Sequence, residues 1–214
     1  MIRFRSVILD VDSTLTGLEG IDWLAAQRGP AVAARVARLT DLAMSGEKSL
    51  DDVFELRLRE VRPSRSEVVR LGAEYVRLAA IGAAEAIREM QEAGVRVVVI
   101  SGGIREAVLP LAAALGVEAA DVYAVGLSFT PEGEFAGHDT RNRLAHQLGK
   151  RVVAEGLALP RPTAAVGDGM TDAEMKPAVD CFIAYTGFVR RDAVTKQADA
   201  SIGSFRELRE LVLG

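Results

Sequence analysis

The residues with the clearest chemical potential are Asp10-Val11-Asp12-Ser13-Thr14, which follow directly on the apolar run Val7-Ile8-Leu9. Thirteen aspartates in 214 residues give about 0.8 Asp-x-Asp pairs by chance, so the pair alone says nothing. A threonine two places on lowers that expectation to about 0.03, and a preceding apolar triplet lowers it about eightfold more. As plain structure, Asp12, Ser13 and Thr14 would satisfy backbone donors in a turn. A second acidic group, Gly167-Asp168-Gly169-Met170-Thr171-Asp172, again follows an apolar run. Its glycines allow tight turning and close backbone approach, and alone it reads as a turn capping the next helix. Carboxylates gathered at one sheet edge, however, repel one another unless a cation or a shared proton lies among them. Oxygen ligands of this kind suit Mg²⁺, so the two acidic groups together imply a divalent metal.

Two further segments offer positive or donor groups. Ser101-Gly102-Gly103 follows an apolar run and precedes a helical pattern, where a hydroxyl and backbone N–H groups can receive an anion such as phosphate. The plain alternative is a glycine-rich connection. Gly149-Lys150 precedes the second acidic group. Arginine supplies 22 of the 26 basic residues, so a lysine favours a site that wants a compact point charge over a planar fork, although most lysines only solvate a helix face.

The elements that must position these residues alternate. Apolar runs at 7–9, 95–100, 163–166 and 181–184 each stop at small or acidic residues and read as strands buried on both faces. Helical periodicity at 83–93, 105–115 and 143–155 lies between them, which predicts an α/β domain with a mainly parallel sheet. Ligands of such sheets bind beyond the carboxyl ends of the strands, where every acidic and Ser/Gly tip falls. From about residue 17 to 78 the pattern is helical without a convincing strand, so three or four short helices are expected as a separate unit. Gly29-Pro30 and Arg62-Pro63-Ser64 mark boundaries within it, with Ser64 as a cap. Residues 122–135 carry β-type residues on both sides of Thr130-Pro131-Glu132-Gly133, the pattern of a small β-hairpin.

Composition excludes other classes. A net charge of -4 gives no electrostatic footprint for nucleic acid. One cysteine and two histidines cannot build a disulfide framework or the usual zinc centre. No stretch approaches the roughly 20 apolar residues of a membrane span, so the expectation is a cytoplasmic protein without a membrane partner. The sequence carries no signature of an oligomeric state.

Taken in order, the Asp-x-Asp-x-Thr motif, Ser101, Lys150 and the terminal acidic motif resemble the haloacid dehalogenase superfamily of phosphatases. Adding Glu19-Gly20-Ile21-Asp22, Ala43-Met44-x-Gly46 and Arg57 makes the set similar to its phosphoserine-hydrolysing branch, over nearly the whole chain. The resemblance implies a Rossmann-like core of residues 1–16 and 79–214 with a helical cap at 17–78 inserted after the first strand. It also implies a Mg²⁺-dependent hydrolase of a small phosphomonoester, O-phosphoserine, working through an aspartyl-phosphate. In that scheme Asp10 is the nucleophile and Asp12 the general acid and then base. The metal sits on Asp10, Asp168 and the Asp12 backbone carbonyl. Ser101, Gly102, Gly103 and Lys150 hold the phosphate oxygens, while Thr14, Thr171 and Asp172 support the site from behind. Glu19 takes the substrate ammonium, Arg57 its carboxylate, and Met44 lines the pocket.

Three departures bear on pocket shape rather than on phosphoryl chemistry. Leu50 stands where the family commonly has phenylalanine, Ala124-Val125-Gly126-Leu127 replaces Ala-Asn-Arg-Leu, and Ile81-Gly82 replaces Pro-Gly. The alternatives are a phosphatase or phosphotransferase for another small phosphorylated metabolite and, more remotely, a receiver-type phosphoacceptor module. The long helical insertion argues against the receiver.

Overall fold

In chain order the computed structural model has β1 (Ser6–Leu9), then α1 (Gly20–Ala26), α2 (Pro30–Met44), α3 (Leu50–Val61), α4 (Arg65–Arg77) and α5 (Ala83–Glu92). There follow β2 (Arg96–Ile104), α6 (Arg105–Ala114), β3 (Val122–Val125), β4 (Leu127–Phe129), β5 (Phe135–His138) and α7 (Gly149–Gly156). The chain ends with β6 (Thr163–Gly167), α8 (Met170–Ala173), β7 (Cys181–Tyr185), α9 (Asp192–Thr195), β8 (Ala200–Ile202) and α10 (Phe205–Leu213). The structure describes residues 3–44, 47 and 50–214, and the side chains of residues 44 and 50–52 fall outside that set. Among the described residues no helix is long and apolar enough to cross a membrane.

The six-stranded sheet has the order β3-β2-β1-β6-β7-β8, and each neighbouring pair runs parallel. Val7, Ile8 and Leu9 are fully buried because β1 lies mid-sheet, covered on both faces, as its unbroken apolar run requires. Sequence order runs outward from β1 on both sides, so the direction in which successive strands are added reverses there, and a crevice opens at such a switch point. Register then does the positioning. Leu9 pairs with Val99 on one side and Val166 on the other, and the Asp10 N–H donates to the Val166 carbonyl at 3.0 Å. Asp10 therefore emerges between the chain leading to Ser101 and the chain leading to Asp168.

Between β1 and α5 the described residues of 17–78 form four helices and the turns that join them, with no strand. Its α4 begins at a reciprocal cap: Glu67 N–H donates to Ser64 Oγ at 3.3 Å and Ser64 N–H donates to a Glu67 carboxylate oxygen at 2.8 Å, which satisfies two of the orphan donors of the first turn. This helix rests on α6, where Gly72 lets it approach Ala107 and Pro110.

The structure differs from the sequence expectations at three places. Residues 122–125 are not a hairpin arm: β3 joins the main sheet beside β2, and the hairpin is β4 with β5. The buried pattern of β3 suits a covered sheet better than an exposed ribbon. The helix expected over 143–155 is broken into a short 3₁₀ turn at Arg143–Ala145 and α7. Asn142 caps the turn by accepting from Leu144 N–H at 3.0 Å, Leu148 takes φ 59°, and Gly149 packs where a Cβ would overlap the Arg143 carbonyl. Finally, β2 continues through Ser101-Gly102-Gly103 to Ile104 with a register shift between Ile100 and Ile104. The strand thus runs four residues past the apolar run that marks it in the sequence, and Ser101-Gly102-Gly103 form its irregular end, directly before α6 as expected.

Candidate active site

Three carboxylates meet at the switch point. Asp10 comes from the tip of β1, Asp168 from the tip of β6 and Asp172 from α8, and each offers an oxygen within 4.8 Å of the others. All three are buried, with 5%, 3% and 1% of their surface exposed. Lys150, on the first turn of α7, lies between two of them: its Nζ donates to Asp10 Oδ1 at 2.5 Å and to Asp172 Oδ1 at 2.7 Å. Asp172 is held by its own helix start, accepting from Gly169 N–H at 3.0 Å. Thr14 Oγ1 donates to Asp168 Oδ1 at 3.3 Å. The remaining Asp168 oxygen, Oδ2, forms an ion pair with the Arg191 guanidinium.

The electrostatics follow from burial. Desolvation pushes the Asp10 carboxyl up to about 7, with the Asp172 charge adding and Lys150 opposing. For Lys150, burial alone would lower the ammonium pKa, but the two carboxylates outweigh it and hold it above its usual value. Asp12 is pushed up to about 8, first by burial and then by the charge of Glu19. Its Oδ1 accepts a hydrogen bond from the Tyr75 hydroxyl. A protonated Asp12 beside an Asp10 held against a cation separates an acid from a nucleophile.

A single pocket is lined by Asp10, Asp12, Ser101, Lys150, Asp168 and Thr171, and also by Gly102, Gly103, Glu19 and Arg57 from the expected set. Gly103 N–H is engaged by Ser101 Oγ at 2.9 Å. In the helical insertion, Glu19 accepts from Ser13 Oγ at 2.9 Å and lies 3.5 Å from Arg191 Nη2. Burial raises its carboxyl, against the charge of Arg57 and the Ser13 hydrogen bond. Arg57 is 4% exposed, pairs with Asp22 at 3.2 Å, and keeps a buried Nε without an acceptor. The Met44 and Leu50 side chains lie outside the described residues. Sequence reasoning missed Tyr75 and Arg191. Neither sits in a motif, and Arg191 is one arginine among 22.

Comparison with known proteins agrees with this geometry. A family model described as haloacid dehalogenase-like hydrolase matches residues 7–176. The chain is 38% identical over 206 residues to "Phosphoserine phosphatase" of Mus musculus, covering 95% of this chain and 91% of that one. It is 34% identical to "Phosphoserine phosphatase, chloroplastic" of Arabidopsis thaliana, over 95% of this chain and 70% of the relative. A crystal structure of a phosphoserine phosphohydrolase-like protein from Francisella tularensis superposes with a TM-score of 0.90 at 26% identity, covering 98% of this chain and all, 100%, of that one. A solved structure described as a phospho-aspartyl intermediate analogue of phosphoserine phosphatase gives a TM-score of 0.82 at 25% identity, with 98% and 99% covered. The acid cluster at the switch point and the relatives' extent over almost all of the sequence lead to one assignment: the chain belongs to the haloacid dehalogenase-like hydrolase family.

Proposed function

We propose that this chain is a Mg²⁺-dependent phosphomonoester hydrolase that passes the phosphoryl group through Asp10, and that its substrate is O-phosphoserine. The observation that carries the reading is the convergence of Asp10, Asp168 and Lys150 with Asp12 at one strand end.

The donor set fits a hard divalent cation. Asp10, Asp168 and Asp172 each bring a buried carboxylate oxygen to within 4.8 Å of the others, and only Asp10 and Asp172 are bridged by Lys150. Asp10, Asp168 and the Asp12 backbone carbonyl would hold the ion, with Asp172 and Thr14 fixing the carboxylates and Thr171 beside them. When bound, Mg²⁺ supplies positive charge against the phosphoryl oxygens and favours the ionised form of Asp10.

The chain's own residues do the rest. An Asp10 oxygen forms a bond to phosphorus as the ester P–O bond breaks, giving an aspartyl-phosphate. The Asp12 proton passes to the departing seryl oxygen. A water then attacks phosphorus, Asp12 takes its proton back, and the Asp10–phosphorus bond breaks to release inorganic phosphate. General acid–base help of this kind contributes about 10²- to 10⁴-fold. Ser101, the Gly102 amide and Lys150 donate to the phosphoryl oxygens in a site shielded from water, with Gly103 N–H orienting Ser101 Oγ. Glu19 and Arg57 read the substrate ammonium and carboxylate, the acceptor-free Arg57 Nε being a ready donor. Residues 17–78 act as a cap over the core of residues 1–16 and 79–214.

The test is phosphate release from O-phosphoserine, O-phosphothreonine and an aryl phosphate, with Mg²⁺ and with chelator. Phosphoserine should lead, and Asp10→Asn should abolish turnover of all three while leaving thermal unfolding within a few degrees. Equal rates on all three esters would overturn the serine assignment. A stable phosphoprotein that never turns over would overturn hydrolysis itself.

A further inference from the structure

We infer that Tyr75 is a positioning residue for Asp12: its hydroxyl anchors Oδ1, so that Oδ2 alone faces the phosphoryl site and carries the proton. The inference deepens the phosphatase reading and rests on it. Tyr75 comes from α4, 63 positions from Asp12 in sequence, and is completely buried. Its ring does not line the pocket, so it cannot touch a substrate and acts only through its neighbour. The hydroxyl donates to Asp12 Oδ1. A carboxyl oxygen that already accepts a phenolic proton is the poorer place for the acid's own proton, since one oxygen would then carry two hydrogens.

The opposite oxygen lies on the reacting side. A Cβ placed on Gly103 would stand 3.7 Å from Asp12 Oδ2 and 3.0 Å from Ser101 Oγ, which puts Oδ2 along the edge formed by Ser101-Gly102-Gly103. Gly20 opens the path for the phenol, because a Cβ there would overlap the Tyr75 hydroxyl. Two devices on different helices, α1 and α4, thus converge on one carboxylate. The consequence is orientational. A free carboxyl can rotate its acidic oxygen away from the leaving group, and a misplacement of about 1 Å can cost about 10²-fold in rate.

Tyr75→Phe tests this with the ring retained. An alkyl ester such as O-phosphoserine needs its leaving oxygen protonated, whereas p-nitrophenolate leaves without a proton. The variant should lose about 10- to 100-fold in kcat/KM on O-phosphoserine, with KM nearly unchanged and the loss carried by kcat. On p-nitrophenyl phosphate kcat/KM should fall less than about threefold, and inhibition by inorganic phosphate should not change. Gly20→Ala, which displaces the hydroxyl from the other side, should reproduce the same leaving-group contrast. Equal losses on both esters, or no loss on either, would reduce Tyr75 to a packing residue. Those outcomes presuppose a wild-type turnover that Asp10→Asn abolishes. Absence of that turnover would sink the phosphatase reading instead.

Discussion

Removing the Lys150 charge should be the most destabilising single change in the site. Lys150 is 7% exposed and bridges Asp10 at 2.5 Å and Asp172 at 2.7 Å. Lys150→Met keeps the length of the side chain and leaves two buried carboxylates facing each other without a counter-charge. Breaking a buried pair by deleting one partner costs about 3–5 kcal/mol. For 214 residues the unfolding entropy is about 0.45 kcal/mol/K, so the midpoint should fall by about 7–11 °C. The measurement is calorimetric unfolding in chelator, which removes any divalent ion that would substitute for the lysine.

Two controls sharpen it. Adding Asp172→Asn to Lys150→Met removes one of the two stranded charges and should restore part of the loss, a coupling of about 1–3 kcal/mol. The pH dependence has a definite sign. A carboxyl whose folded pKa lies above its unfolded value near 3.9 penalises the fold when ionised, fully above the folded pKa and not at all below the unfolded one. Asp10 already stands at about 7, and losing the lysine that opposes that rise pushes it further up. The gap between wild type and variant should be wide at pH 8 and narrow at pH 5. A gap under about 1 kcal/mol at pH 8, or one that ignores pH, would refute the claim that this lysine holds the acids together.

Arg57→Ala should raise KM for O-phosphoserine about 10- to 100-fold, the loss of a charge-assisted hydrogen bond of about 1.5–3 kcal/mol, while leaving an aryl phosphate nearly untouched. Equal losses on both would count against a carboxylate-binding role. At the insertion's far end, Arg28 donates to Glu67 at 2.6 and 2.7 Å, and that hydrogen bond is the chief reason Glu67 is lowered to about 2. A depressed carboxyl stabilises the fold above its unfolded pKa near 4.5 and loses that contribution as pH falls towards 2. Glu67→Gln should therefore cost about 1 kcal/mol at pH 7, after solvent screening, and only about a quarter of that at pH 2.5 in urea titrations. The same difference at both pH values would show that the ion pair is not its source.

Much of the framework is legible in sequence because strands covered on both faces need unbroken apolar runs, and β1, β2, β6 and β7 have them. Their acidic and Ser/Gly ends mark the crevice for the same reason: polar residues appear where the sheet stops. Three elements escape. The strand β8 has only three residues, too few for periodicity to register. The break before α7 depends on Leu148 in a left-handed conformation, which a leucine does not announce. The allegiance of β3 is decided by pairing with β2, not by its own residues. Within the site, motif residues were visible because chemistry fixes their types and spacing. Tyr75 and Arg191 reach it only through tertiary folding, so no local pattern could reveal them.

The choice of lysine at 150 closes the link between composition and site. Lys176 and Lys196 are exposed, whereas Lys150 is buried, the one lysine buried among the described residues. Its Nζ must satisfy oxygens from two carboxylates on different elements at 2.5 and 2.7 Å, and a tetrahedral ammonium aims separate donors at such unaligned acceptors. A guanidinium presents its donors in one plane and is wider. Its greater width would have to be absorbed at α7, whose first residue, Gly149, is already packed tightly against the Arg143 carbonyl. Where the chain has room for a fork it uses arginine, as in the paired contact of Arg28 with Glu67. Between the buried Asp10 and Asp172, geometry overrides the compositional habit, and the exception is what makes position 150 conspicuous in the sequence.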